Sequence, residues 1–237
     1  MRQRYFYDCS ISDLKINMHE LNLLLGYGEH SPSQVVLNMI NEITDELKDI
    51  VHPYCGYVLS EGYAIDKDHL KLADIILNPG KIITKAMSGA DYYALFTATI
   101  GEDFDIWLKK LKTDDDDIVK VFVADALGSI LAEATVTWLM KQLEEEASKS
   151  DLKISNNYSP GYCDWPLTEQ CQLFTFFPDD ISGITLTDSC LMLPVKSVSG
   201  IVAVGNNVKK RPYGCNICNM TGCIKNMKKA AKQQEFQ

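Results

Sequence analysis

The sequence predicts an α+β fold, and three observations lead there. The stretch "SPSQVVLNMINEITDELKDIVHP", residues 31–53, places Val35, Val36, Met39, Ile40, Ile43, Leu47 and Ile50 on one stripe at helical spacing. The stretch "DYYALFTATIG", residues 91–101, is dense in aromatic and β-branched residues and ends at a glycine, as a buried strand does. Helical and extended segments do not alternate in the regular way that a parallel sheet with crossover helices requires.

Taken in order, residues 4–11 alternate loosely and predict an edge strand. "INMHELNLLLGYG" predicts a short helix that stops at Gly26, a residue suited to a left-handed cap. For the next helix Ser31 is the expected cap, Pro32 suits the first turn, and Pro53 closes it. Residues 54–76 read as short strands and turns, "PGKIITKAM" as one or two helical turns, and "DFDIWLKKL" as another short helix. The run Asp114 to Asp117 precedes a long helix at once. Carboxylates in a first turn are favoured by the helix dipole, and that reading is preferred here to a metal site.

The long helix is "IVKVFVADALGSILAEATVTWLMKQLEEEA". Val123, Leu127, Ile130, Leu131, Ala134 and Trp138 share a face, and Ala124, Ala126, Gly128 and Ala132 are small enough for close packing. Glu133 falls inside this apolar section. It is either at the margin of the buried face, held by a partner, or solvated. After the aperiodic stretch "NNYSPGYCDWPLTEQ" comes a helix near residues 166–176, then two strands, "GITLTDSCLMLP" and "SVSGIVAVG".

Composition sets limits. Lys plus Arg number 23 against 32 Asp plus Glu, a formal net charge of −9. That argues against a general nucleic-acid binder, which needs a basic surface, and leaves room for an acidic face that docks a partner protein. No stretch approaches the roughly 18 apolar residues of a membrane span, and the N-terminus lacks a signal-peptide core, so no membrane association and a cytoplasmic location are expected. In a reducing cytosol the eight Cys are expected to be free thiols, metal ligands or core fillers. The four His show no ligand spacing, and there is no P-loop, nucleophile elbow or dinucleotide fingerprint. We expect one domain over residues 1–214 and a Cys-containing, Lys-rich tail over 215–237. In that tail Cys215, Cys218 and Cys223 have the spacing C-x2-C-x4-C, compatible with zinc or an iron–sulfur cluster or with three free thiols; a fourth ligand would have to come from Cys171 or Cys190.

Four stretches then line up in order: "TIGEDFD", "ADALGSILAEA", "YSPGYCDWPLTEQ" and "LMLPVKSVSGIVAVG". Together they resemble the activation domain of cobalamin-dependent methionine synthase, most closely its small stand-alone relatives, from about Ile16 to Cys223. The resemblance implies a single α+β domain with a twisted, largely antiparallel sheet flanked by helices. It implies binding of S-adenosylmethionine (SAM) and reductive reactivation of a cobalamin stalled in the cob(II) form, the electron coming from a flavodoxin-like donor. This chain has no cobalamin module, so the corrinoid would be carried by a partner: a corrinoid methyltransferase, or a methionine synthase lacking its own activation domain. Stand-alone members often end in a similar Cys cluster.

On the same resemblance Glu133 matches an acidic residue that meets the ligand's ammonium. Asn157, Tyr158, Gly161 and Tyr162 fall on the ligand-binding loop, where Pro160 and Gly161 shape the backbone and the tyrosines offer rings and hydroxyls. Trp165 is expected to pack rather than bind. The family has Arg, a carboxylate ligand, where this chain has Asn157. Loss of that charge-assisted contact costs about 1.5–3 kcal/mol, tenfold or more in affinity. The alternative is a non-catalytic interaction module, or a metal-dependent redox module, that kept the fold and lost SAM.

Overall fold

The computed structural model describes residues 3–114, 117–177 and 183–211. Its centre is a five-stranded, wholly antiparallel sheet. The strands, in chain order, are β1 (Gln3–Asp8), β2 (Tyr54–Ser60), the small strands β3 (Gly62–Ala64), β4 (Leu70–Leu72) and β5 (Ile75–Leu77), and five more. These next strands are β6 (Tyr92–Thr99), β7 (Lys153–Ile154), the short pair β8 (Thr185–Leu186) and β9 (Met192–Leu193), and β10 (Ser197–Gly205). The main sheet runs β1-β2-β6-β10-β7, while β3-β4-β5 and β8-β9 form separate small sheets. Among the described residues there are six α-helices: α1 (Met18–Leu24), α2 (Gln34–Leu47), α3 (Gly80–Ala86), α4 (Glu102–Asp114), α5 (Ile118–Ser148) and α6 (Gln170–Phe174). The expected α+β class and antiparallel sheet are present.

Both faces of the sheet are covered. Tyr57, Ala94, Phe96, Val202 and Val204 face Val136, Leu139 and Leu143 of α5. The alternate residues Val58, Tyr93, Leu95, Ile201 and Ala203 face Leu70, Leu72, Leu77, Trp165 and Phe176. With partners on both sides, β6 buries every residue but its first, which is why its sequence reads as a continuous apolar run rather than an alternation. A third cluster joins α1, α2 and α4 to the first half of α5 through Leu21, Ile43, Leu47, Phe104 and Leu127. A Cβ at Gly128 would lie 2.2 Å from the Phe104 ring, so this position on α5 must stay bare for α4 to seat.

Several expectations are corrected. The cap of α2 is Ser33 rather than Ser31, which leaves Pro32 outside the first turn. Val35 is 72% exposed, because the first turn of α2 overhangs the core that Ile40, Ile43 and Leu47 enter. Asp114 ends α4, and Asp117 caps α5, its side chain accepting from the Val119 and Lys120 amides at 2.9 and 3.1 Å. "GITLTDSCLMLP" is not one strand but the β8–β9 hairpin.

The hairpin also overturns the expectation that the cysteines are unpaired. Its turn brings Cys190 to a Cα–Cα distance of 6.0 Å from Cys171 on α6, and the two form a disulfide. A separation of 19 residues in sequence does not reveal that approach. Neither is then available as a fourth metal ligand for the tail. Cys9 and Cys55 form no disulfide.

Candidate functional site

The site begins on α5. Ile130, Glu133, Ala134, Thr137 and Met140 fall at helical intervals of three and four, so one face of the helix presents all of them to the same side. Opposite runs the chain that leaves β7. Ser155 ties this segment to the sheet: its amide donates to the Ala203 carbonyl at 2.9 Å, and its hydroxyl accepts from the Ala203 amide at 2.9 Å. Three residues on, Tyr158 exchanges backbone hydrogen bonds with Ile201 on β10, 3.0 Å from its amide and 2.8 Å to its carbonyl. That bridge needs Gly200, where a Cβ would meet the Tyr158 carbonyl oxygen at 2.2 Å.

Between these ties Asn156 and Asn157 border a cleft of about 390 Å³ with the α5 face. Lys15, Asn17 and Glu20, ahead of and within α1, and Lys210 also line it. Lys210 is turned toward α5, its ammonium 2.8 Å from each carboxylate oxygen of Glu144. Asn17 caps α1, accepting from the Glu20 amide at 3.2 Å, which sets where Glu20 stands. Glu133 and Asn157, distant in sequence, therefore share one cavity, and Glu133 sits on the exposed side of its helix.

Tyr158, Gly161 and Tyr162 are not among the residues that line this cleft. Tyr158 is 4% exposed and belongs to the cluster on the other face of the sheet, as strand geometry requires of the neighbour of Asn157. Burial, and secondarily the nearby Cys163, pushes its phenol upward, with Arg211 opposing. Beyond it the loop turns sharply. Gly161, Cys163 and Asp164 adopt positive φ values of 88°, 53° and 66°. The Gly161 amide donates to Trp165 O at 2.8 Å, and the Trp165 amide to Tyr162 O at 2.9 Å. Trp165 is 2% exposed in the core, the packing role expected of it, while Tyr162 is 55% exposed at the turn.

A larger cavity of about 530 Å³ opens by the C-terminal end of α5 and the β1–β2 edge, lined by Tyr5, Tyr57, Glu61 and Glu146 among others. It contains none of the residues picked from sequence. Cys215, Cys218 and Cys223 lie outside the described residues, and among those described no group of three or more His, Cys, Asp or Glu is placed to hold a metal. Among the same residues no helix is long and apolar enough to cross a membrane.

Sequence reasoning missed Lys15, Glu20 and Lys210. Nothing local marks them, since each is a single polar residue on a surface segment that only the tertiary fold brings beside α5.

Comparison with known proteins bears on the family and the fold. The family model described as vitamin B12 dependent methionine synthase, activation domain, matches residues 65–219. The crystal structure of the MetH reactivation domain bound to AdoHcy aligns with a TM-score of 0.70 at 19% sequence identity, covering 89% of this chain and 81% of that chain. At that identity the likeness is one of fold.

Proposed function

We propose, for a chain that belongs to the vitamin B12 dependent methionine synthase activation domain family, that it binds SAM in the cleft between α5 and residues 154–157. We further propose that it serves the reductive reactivation of a cobalamin-dependent methionine synthase, or a related corrinoid methyltransferase, carried by another chain. The observation that supports this reading is the convergence of Glu133 and Asn157 on one cleft. Its volume of about 390 Å³ falls within the roughly 300–1,000 Å³ of small-molecule pockets. The donor set suits the ligand: Glu133 and Glu20 offer carboxylates to an ammonium, and Asn156 and Asn157 offer amides to polar edges. SAM, when bound, supplies the methyl group. The residues of this chain hold its amino-acid end and orient it.

Asn157 provides an amide where the family carries a permanent charge, so binding is expected to be weak. The formal charge of −9 suits electrostatic steering toward a basic partner face, and a flavodoxin-like protein fits as the electron donor. A cytoplasmic setting belongs to the same reading; there the Cys171–Cys190 bridge would be exposed to a reducing thiol pool. The test is to add the protein, a reductant and SAM to a methionine synthase stalled as cob(II)alamin. Turnover should return as the cob(II) absorption spectrum disappears. An unchanged spectrum, with complex formation verified, contradicts the proposal.

Asn157 favours a second reading: a module that kept the fold and lost SAM, acting by contact with a partner or through a metal at Cys215, Cys218 and Cys223. In that case the chain would bind its partner with an affinity that SAM does not change.

A further inference from the structure

The main sheet ends in β1, and among the described residues nothing pairs with the outer side of that strand. Which of its backbone groups point outward follows from the register. Asp8 stands opposite Tyr54, so Cys9 stands opposite Pro53, and the Cys9 amide donates to the Pro53 carbonyl at 3.1 Å. Residues of an antiparallel ladder alternate between bonding one neighbour and the other. Gln3, Tyr5 and Tyr7 therefore turn their amides and carbonyls toward β2, while Arg4, Phe6 and Asp8 turn theirs away from the sheet. The side chains alternate as well. Tyr5 and Tyr7 lie on the α5 face, the first stacked on Tyr57 with centroids 4.9 Å apart, the second edge-on to Trp138 at 5.7 Å. Phe6 packs on the opposite face, stacked on Tyr54 at 6.0 Å. Arg4 and Asp8 share the face of Phe6. Both are exposed, and their side chains enter no hydrogen bond or ion pair among the described residues.

The stretch Arg4-Tyr5-Phe6-Tyr7-Asp8 is thus complementary to itself run backwards. We propose that β1 is the interface of a twofold dimer, in which it pairs antiparallel with β1 of a second copy and joins the two sheets into one. The outward groups limit the register, because Arg4, Phe6 and Asp8 must each stand opposite a residue that also points outward. The register centred on Phe6 engages all three, and it sets each Arg4 against Asp8 of the other copy. Each of its three opposed pairs exchanges two backbone hydrogen bonds. Tyr5 then lies beside Tyr7 of the other copy on one face, and the two Phe6 rings meet on the other. Every other allowed register uses fewer of the outward groups, and sets a charged residue against Phe6 or against its own copy. An exposed strand edge is an open template for pairing, and this twofold contact closes it. β1 contributes no residue to the 390 Å³ cleft, so the proposal does not depend on the SAM reading.

Sedimentation velocity of the full-length protein over a concentration series tests it. The salt should be about 0.15 M, where the net charge of −9 on each copy is screened beyond about 8 Å. The wild type should pass from monomer to dimer as concentration rises. Arg4→Asp and Asp8→Arg should each weaken the dimer about tenfold, because the pair at either end becomes like-charged. An equimolar mixture of the two variants should recover the wild-type dissociation constant to within about threefold, because every end pair across the mixed dimer is again opposite in sign. The double variant Arg4→Asp/Asp8→Arg should recover it too. Measured where the wild type is monomeric, the circular dichroism spectra and melting temperatures of all variants should match it, which separates loss of the interface from loss of the fold. A wild type that stays monomeric up to about 1 mM leaves this edge to a strand of some other protein and overturns the proposal. A dimer that neither single variant weakens belongs to another face and overturns it equally, as does a mixture that associates no better than its components.

Discussion

Gly200 is a direct probe of how the fold places Asn157. The substitution Gly200→Ala would put a methyl carbon 2.2 Å from the Tyr158 carbonyl oxygen and 2.7 Å from the Phe96 ring. The ring can shift, but a backbone oxygen held in a hydrogen bond cannot turn away without breaking it. The two bonds at risk are those between Tyr158 and Ile201, at 3.0 and 2.8 Å. At about 0.5–1.5 kcal/mol each their loss costs about 1–3 kcal/mol. For a chain of this size, at roughly 2–4 °C per kcal/mol, the melting temperature should fall by about 2–12 °C. Thermal melts followed by circular dichroism, checked by urea unfolding, read this directly. Asn157 immediately precedes the broken bridge, so ligand affinity should fall in the same variant. A melting temperature within about 1 °C of the wild type would refute the claim that β10 holds this segment by close backbone approach.

Other consequences follow from the same packing. Trp165→Ala removes a 2% exposed side chain from the core beneath the loop, and should cost about 3–5 kcal/mol in denaturant unfolding. Reduction of Cys171–Cys190, which closes a loop with a sequence separation of 19, should lower stability by about 3 kcal/mol in a paired melt with and without a phosphine reductant; equal melts, with alkylation confirming reduction, would show that the bridge does not stabilise the fold. Asn157→Arg should tighten SAM binding about tenfold by restoring a charge-assisted donor pair to the cleft wall, and an unchanged dissociation constant would mean that residue 157 does not face the ligand's carboxylate. Anaerobically purified protein should carry near-stoichiometric zinc or iron that Cys218→Ser loses, as elemental analysis would show; a metal-free preparation that also refuses added metal would leave these as ordinary thiols.

Much of this architecture is legible in the sequence where one element decides its own fate. The α2 stripe through Ile40, Ile43 and Leu47, the small residues of α5 and the buried run of β6 all follow from local pattern. What fails depends on neighbours. Val35 matches the helical stripe, but the core ends before reaching it, so it remains 72% exposed. "GITLTDSCLMLP" has strand composition, yet Cys190 takes a φ of 60° in the turn and its disulfide folds the segment back on itself. At the site, Glu133 stands out because a carboxylate interrupts an apolar helix, and Asn157 because it departs from a motif. Tyr158 belongs to the same motif, yet the alternation of an extended chain sends its side chain to the opposite face of the sheet from its neighbour. Lys15 and Glu20 carry no local signal, because their place at the cleft depends on α1 packing beside α5.

The central claim is that this cleft binds SAM through Glu133. Titration calorimetry of SAM into the full-length protein and into Glu133→Gln tests it most directly. The account predicts one saturable, weak site in the wild type. In the variant it predicts about fivefold weaker binding, since a charge pair at an exposed carboxylate is worth about 1 kcal/mol, with an unchanged melting temperature. No saturable heat in the wild type, or binding in Glu133→Gln equal to it, would contradict the account.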